Sequence, residues 1–148
     1  SYDLMCYIYG ILNSHEYKVK YQEYLRCDFP RIPLYDETEK FNNLKIIGKK
    51  LIKLHLMKQN IDFDIKKILI GPDKTIQKVN YNKGKAYITD STYFLIPKKI
   101  WSYQIGTYKV IKKYLKYRKG RTLSISEINH ICKMKKIIGR TQKILEYT

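Results

Sequence analysis

Cysteine is scarce and poorly placed for a scaffold. Cys6, Cys27 and Cys132 form an odd set at wide spacing with no C-x-x-C pair. That excludes a disulfide framework and a zinc knuckle, and it fits a reducing, cytoplasmic compartment. Long apolar runs are missing as well. The longest, Met5 to Leu12, is interrupted by Gly10 and falls short of the ~20 residues of a membrane span. No signal-peptide pattern is present. Phosphate-cradling sequence is absent: there is no G-x-x-x-x-G-K-[ST] loop, and no Gly-rich turn follows an expected strand. The Asn/Asp-Pro-Pro-aromatic tetrapeptide of adenine methyltransferases is missing too. A complete enzyme of these classes is therefore not expected. With Ser1-Tyr2-Asp3 in place of an initiator Met, the chain reads as a piece of a longer protein.

Acid is scarce in one half only. The formal net charge is +17 over 148 residues. From Ser1 to Asp64 there are 10 Lys/Arg against 9 Asp/Glu, and from Ile65 to Thr148 there are 20 against 4. Between Lys98 and Lys143 the single acid is Glu127. Charge of this size attracts polyanions over a Debye length, and the asymmetry places the polyanion-facing surface after Ile65. Of the 30 basic residues 25 are Lys, as AT-rich coding also produces, and a lysine face can be a merely solvated face. Such a bias would act on both halves, however, and the charge does not.

What is abundant organises the chain. An apolar helix is expected from Asp3 to Leu12 with Asp3 as N-cap, then a break at Asn13-Ser14. A second helix is expected from His15 to about Arg26, with Tyr17, Tyr21, Tyr24 and Leu25 on one face. Pro30 and Pro33 force an extended segment. Asp36-x-x-Glu39 reads as a capping box for a third helix, which carries Phe41, Leu44, Ile47, Gly48, Leu51 and Leu54/His55 at spacings of three and four. Lys67 to Ile70, Thr75 to Tyr81 and Lys85 to Ile96 are rich in β-branched and aromatic residues. Gly71-Pro72-Asp73 and Asn82-Lys83-Gly84 punctuate them, giving a sheet of three or four strands. Pro97 opens a short helical turn through Trp101 to Tyr103. A helix from Thr107 to Tyr117 sets Val110, Ile111, Tyr114 and Leu115 opposite Lys109, Lys112, Lys113 and Lys116, and Gly120 ends it. Ser124-x-x-Glu127 caps the last helix. The fold class is α+β: N-terminal helices, a small central antiparallel sheet and a C-terminal helical pair. It is read as one domain over 1–148, with a helical part at 1–58, a β part at 65–96 and a basic helical part at 97–148.

Candidate chemistry is thin for catalysis. Asp62, Asp64 and Glu37 are the best material for a small metal-dependent nuclease, but Glu37 to Lys40 sits where acids favour a helix start. His55 falls beside an apolar face and suits a hydrogen-bonded core position. His130 and Cys132 are two apart on a helix and point away from each other, so they do not share a metal. The nucleic-acid material is better. Lys116-Tyr117-Arg118-Lys119-Gly120-Arg121 holds two of the five arginines at a helix end, where cations also simply suit the dipole. Asn80, Asn82, Lys83 and Lys85 offer amides and ammonium groups at a hairpin tip. Asn reads adenine and Lys reads guanine from the major groove, although Asn-Lys-Gly is also a good turn. Tyr103 and Tyr108 flank Gly106, where they can face a ligand or phosphate.

Four segments carry a resemblance. They are Tyr7-Ile8-Tyr9-Gly10-Ile11-Leu12-Asn13-Ser14-x-x-Tyr17, Phe29-Pro30-Arg31-Ile32-Pro33-Leu34, Leu44-x-x-x-Gly48-x-x-Leu51-x-x-Leu54-His55-Leu56, and Trp101-x-Tyr103-x-Ile105-Gly106-x-Tyr108-x-Val110-Ile111-x-x-Tyr114-Leu115-x-x-Arg118. In this order and spacing they resemble the C-terminal specificity domain of type ISP restriction–modification enzymes and related adenine-N6 DNA methyltransferases. The resemblance implies a target-recognition domain that holds double-stranded DNA while a methyltransferase domain of the same polypeptide flips the target adenine. It implies S-adenosylmethionine in the parent chain and no cofactor here. Arg31 becomes a candidate DNA contact or interface residue, or a buried structural arginine. Phosphate anchoring falls to Lys112, Lys116, Arg118, Lys119 and Arg121, with Tyr108 beside them. Base readout falls between Gln77 and Lys85, a stretch that departs from the family pattern. The alternative is a docking module for the methyltransferase domain, with little DNA affinity of its own.

Overall fold

The computed structural model describes residues 1–22, 32–33, 35, 38–57 and 68–146. Arg31, the proposed cap Asp36, and the carboxylates Glu37, Asp62 and Asp64 lie outside the described residues. The chain divides into two compact units, one formed by Ser1–Asn60 with Gly139–Thr148, the other by Ile61–Ile138. Helices dominate both ends and a small antiparallel sheet lies between them in sequence, an α+β fold.

In the first unit, α1 (Tyr2–Asn13), α2 (His15–Lys20) and α3 (Thr38–His55) form the described helices. The cap of α1 is Ser1, whose hydroxyl accepts from the Leu4 amide; Asp3 lies inside the first turn, where its charge favours the helix dipole. Ser14 ends α1 and starts α2. Its hydroxyl donates to the Ile11 carbonyl and accepts from the Tyr17 amide. The second helix falls short of the expected Arg26, and Tyr24 and Leu25 of its expected face lie outside the described residues. It stops at Lys20, and Tyr21 leaves the helical conformation with its ring 4.8 Å from that of Tyr17.

Helices α1 and α3 touch at two glycines. A methyl group on Gly48 would overlap the Cys6 carbonyl, and one on Gly10 would overlap the Leu44 carbonyl. The missing Cβ atoms let the two backbones meet, which sets the crossing over a core of Tyr7, Ile11, Tyr17 and Leu44. Tyr7 stacks on Phe41 at 4.4 Å. Its hydroxyl donates to the Pro33 carbonyl at 2.7 Å and accepts from the Tyr35 amide at 3.3 Å. This fully buried phenol thus holds the proline segment by its backbone.

In the second unit, β1 (Leu69–Ile70), β2 (Asn80–Asn82), β3 (Lys85–Tyr87) and β4 (Tyr93–Leu95) form an antiparallel sheet of order β1-β4-β3-β2. Leu69, Phe94, Ala86 and Tyr81 pair in one row across it. The turn between β2 and β3 is a two-residue one, with Lys83 at φ 48° and Gly84 at φ 79°. Both residues in the left-handed region make a type I′ hairpin. The sheet has four strands, within the expected three or four, and two of the β-rich stretches are interrupted. From Lys85 to Ile96, Thr89 intervenes: its hydroxyl accepts from the Ser91 and Thr92 amides and turns the chain between β3 and β4. From Thr75 to Tyr81, the Gln77 and Lys78 amides both donate to the Ile88 carbonyl, a bulge, while Thr75 pairs instead with Thr122.

The short helix α4 (Lys98–Trp101) follows Pro97. A hairpin, β5 (Gln104–Ile105) with β6 (Tyr108–Lys109), then takes the place expected for the start of the next helix. Gly106 at φ 62° makes its turn possible. Helix α5 (Val110–Lys116) therefore begins three residues late, with Ile111 and Leu115 buried. Gly120, at φ 85°, turns the chain back so that its amide reaches the Ile76 carbonyl at 2.7 Å. Helix α6 (Ile125–Leu145) buries Ile128, Ile131, Cys132 and Ile138, as its apolar spacing requires. No helix among the described residues is long and apolar enough to cross a membrane.

Candidate nucleic-acid interface

Lys109, the residue before α5, and Lys112, Lys113 and Lys116 within it recur at the spacing of one helix face. The opposite face buries Ile111 and Leu115, so the ammonium groups are driven outward. The β5–β6 hairpin stands beside them. Together they form an open groove of 540 Å³ lined by Gln104, Thr107, Tyr108, Lys109, Lys112, Lys113, Lys116 and Tyr117. A second hollow of 280 Å³ shares Lys109 and Lys112 and adds Val79, Asn80, Tyr81, Lys98, Trp101 and Ser102. Five lysines line the two hollows and no carboxylate does.

The walls are rigid for identifiable reasons. Tyr81 stacks on Trp101 at 5.0 Å with a 9° interplanar angle, and its hydroxyl donates to the Ile96 carbonyl. Burial pushes the Tyr81 phenol up from its ordinary value. Lys113 lies 3.8 Å from the Tyr108 ring centroid and 5.8 Å from that of Tyr117, a cation between two π-faces.

The arginines stand apart from this groove. Glu127 closes a capping box with Ser124: its Oε1 accepts from the Ser124 amide, and its own amide donates to the Ser124 hydroxyl. The other carboxylate oxygen accepts from Arg118 Nε at 2.6 Å and from Arg121 Nη2 at 2.8 Å. The Ser124 amide and the two guanidiniums hold the Glu127 carboxyl below its ordinary range. Arg118 also donates from Nη1 to the Tyr114 carbonyl and lies 3.5 Å over the Tyr114 ring. His130 packs against the same Tyr114 ring, centroid to centroid at 5.0 Å; burial, then Arg118 and Lys133, hold its imidazole below its ordinary range.

Asn80 and Asn82 are both exposed and share one face of β2, by the two-residue period of a strand. Lys83 occupies the hairpin tip, whereas Lys85 is drawn over the Tyr93 ring at 4.9 Å. Asn80 alone of this group also lines the hollow with Lys109 and Lys112. Tyr108, Lys112 and Lys116 are brought together in the groove; Lys119 is exposed on the turn after α5. Sequence reasoning missed Lys109, Lys113 and Tyr117 as groove residues, and Lys98 and Trp101 as lining of the second hollow. The i, i+3, i+4, i+7 lysine stripe was a signal for two of them.

His55 has the packed role expected of it. Its Nδ1 shares a hydrogen bond with the Tyr9 hydroxyl and its Nε2 with Thr141 Oγ1 at 2.8 Å. Burial, then Lys18, hold its imidazole below its ordinary range. Among the described residues no group of three His, Cys, Asp or Glu is placed to hold a metal.

The second unit of this α+β chain thus carries a groove lined by lysines and aromatic rings. The chain belongs to the Type ISP C-terminal specificity domain family, which matches residues 1–147. The fold is also that of solved structures. A nuclease-deletion mutant of the Type ISP restriction-modification enzyme LlaGI, in complex with a DNA substrate mimic, is 24% identical over 100% of this chain and 14% of its own, with a TM-score of 0.65. The ATP-dependent Type ISP restriction-modification enzyme LlaBIII bound to DNA is 23% identical over 97% of this chain and 11% of its own, with a TM-score of 0.66. DrdV in a DNA complex is 21% identical over 98% of this chain and 18% of its own, with a TM-score of 0.69. The chain thus spans less than a fifth of the length of each. No curated protein matches it.

Proposed function

We propose that this chain reads double-stranded DNA as the specificity domain of a restriction–modification protein that methylates adenine at N6. The observation that carries this reading is the lysine groove without a carboxylate, on a chain of the specificity-domain family. Lys109, Lys112 and Lys116 would hold backbone phosphates, with Lys119 and Arg121 extending the contact along the following turn. Arg118 positions Tyr114 and the end of α5 behind them. Asn80, Asn82 and Lys83 would meet base edges, since they stand on the β2–β3 hairpin, whose Asn80 lines a hollow with Lys109 and Lys112. Arg31 remains a candidate contact by resemblance. S-adenosylmethionine and the methyl-transfer residues belong to a methyltransferase domain of the parent, which would act in the cytoplasm. No chemistry falls to this chain itself.

Selection of duplexes from a randomised pool tests this reading. Enrichment of one short sequence supports it. Absence of any titratable duplex binding at low salt overturns it. A docking role on the methyltransferase domain is favoured by a separate observation, the exposed Tyr2, Leu4 and Met5 at the start of α1. Such a module would bind the isolated methyltransferase domain and not DNA.

A further inference from the structure

Exposed aromatic rings are costly in water, and this chain concentrates them. Among the described residues three tyrosines are exposed, and two of these, Tyr108 at 40% and Tyr117 at 75%, line the groove of Lys109, Lys112, Lys113 and Lys116. Lys113 sits between their rings and steadies both. Phosphates of an intact duplex need only the lysines. Its bases are stacked on one another and offer no free π-face to a groove wall. A ligand that uses both the lysines and the rings carries phosphates and unstacked planar groups together, which describes unpaired nucleotides.

We propose that the groove between α5 and the β5–β6 hairpin holds a locally unpaired stretch of DNA. Lys109, Lys112 and Lys116 take its phosphates, and a base stacks on Tyr117 with Tyr108 at the groove's other side. This rests on the DNA reading above and deepens it. Taking a base out of a duplex costs stacking and pairing energy, and a protein that works on such a base gains if another surface holds what is unpaired. The groove supplies that surface within the reading domain.

The test compares a short duplex with the same duplex carrying a central unpaired run, by fluorescence anisotropy at one salt concentration. The chain is expected to bind the interrupted duplex about tenfold more tightly, the range of one base stacked on an aromatic side chain. Y117A should bring the ratio of the two affinities close to one, and Y117F, which keeps the ring, should retain it. Equal wild-type affinities for the two duplexes, or a ratio that survives Y117A, overturns this inference and leaves the duplex reading standing. Failure to bind either duplex overturns the duplex reading itself and this inference with it.

Discussion

Arg118 Nε lies 2.6 Å from Glu127 Oε2, and the same oxygen takes Arg121 at 2.8 Å. One carboxylate, the single acid between Lys98 and Lys143, therefore joins two guanidiniums to a helix cap. The two arginines differ. Arg118 is mostly buried and spends a second donor on the Tyr114 carbonyl, whereas Arg121 is exposed. R118A is expected to lower the thermal midpoint more than R121A, because it also strips the Tyr114 ring and carbonyl of their partner. S124A should cost about 1 kcal/mol in urea unfolding through loss of the cap. Equal effects of the two arginine variants would place the stabilisation in the exposed pair instead.

Close glycine packing predicts a steep cost in the first unit. G48A puts a methyl group into the Cys6 carbonyl, which is backbone and cannot swing aside. The helices must part, at about 3 kcal/mol. Chemical denaturation checks this, and G84A serves as contrast: it meets no neighbour, so its cost comes only from φ 79°.

Phosphate contact by α5 predicts a change in salt response. K112A with K116A should lower duplex affinity on all sequences alike, and flatten the log–log salt slope by about 2. An unchanged slope would remove these lysines from the interface.

Base reading by β2 predicts the opposite pattern. N80A is expected to weaken the preferred sequence by about 1–3 kcal/mol while leaving affinity for unrelated duplexes in place. Binding to both kinds of duplex, measured in parallel, separates this from a general loss.

Two depressed histidines set a pH dependence. His55 and His130 have folded-state pKa values below the unfolded ~6.5, so the unfolded chain binds more protons as the pH falls. The stability this represents is present above pH ~6.5 and is lost on acidification through the folded values. The urea midpoint should drop from pH 7.5 to 5.5, and H130Q should make that drop smaller. A midpoint that rises on acidification would reverse the sign.

Local signals carried much of the fold. The three- and four-residue spacing of Leu44, Gly48, Leu51 and Leu54 defined α3, and Ser124 with Glu127 marked the start of α6, because both act within a few residues. The same is true of the Asn82-Lys83-Gly84-Lys85 hairpin and of the lysine stripe on α5. Strands of two or three residues have no such periodicity. Their limits came from distant partners: the Ile88 carbonyl bulging Gln77 and Lys78, and Thr122 capturing Thr75. The β5–β6 hairpin replaced an expected helical turn because Gly106 could adopt a left-handed conformation.

What the sequence by itself determined was the charge asymmetry, the long helices α3 and α6 with the Ser124–Glu127 cap, and the family, since all are written in order and spacing along the chain. The tertiary structure alone decided where those charges stand. It turned Arg118 and Arg121 toward Glu127 and set Lys109, Lys112 and Lys116 beside Tyr108 and Tyr117. A lysine stripe becomes a groove only when the β5–β6 hairpin stands beside it, as the stacked Tyr81–Trp101 pair walls the neighbouring hollow, and those contacts are made across space.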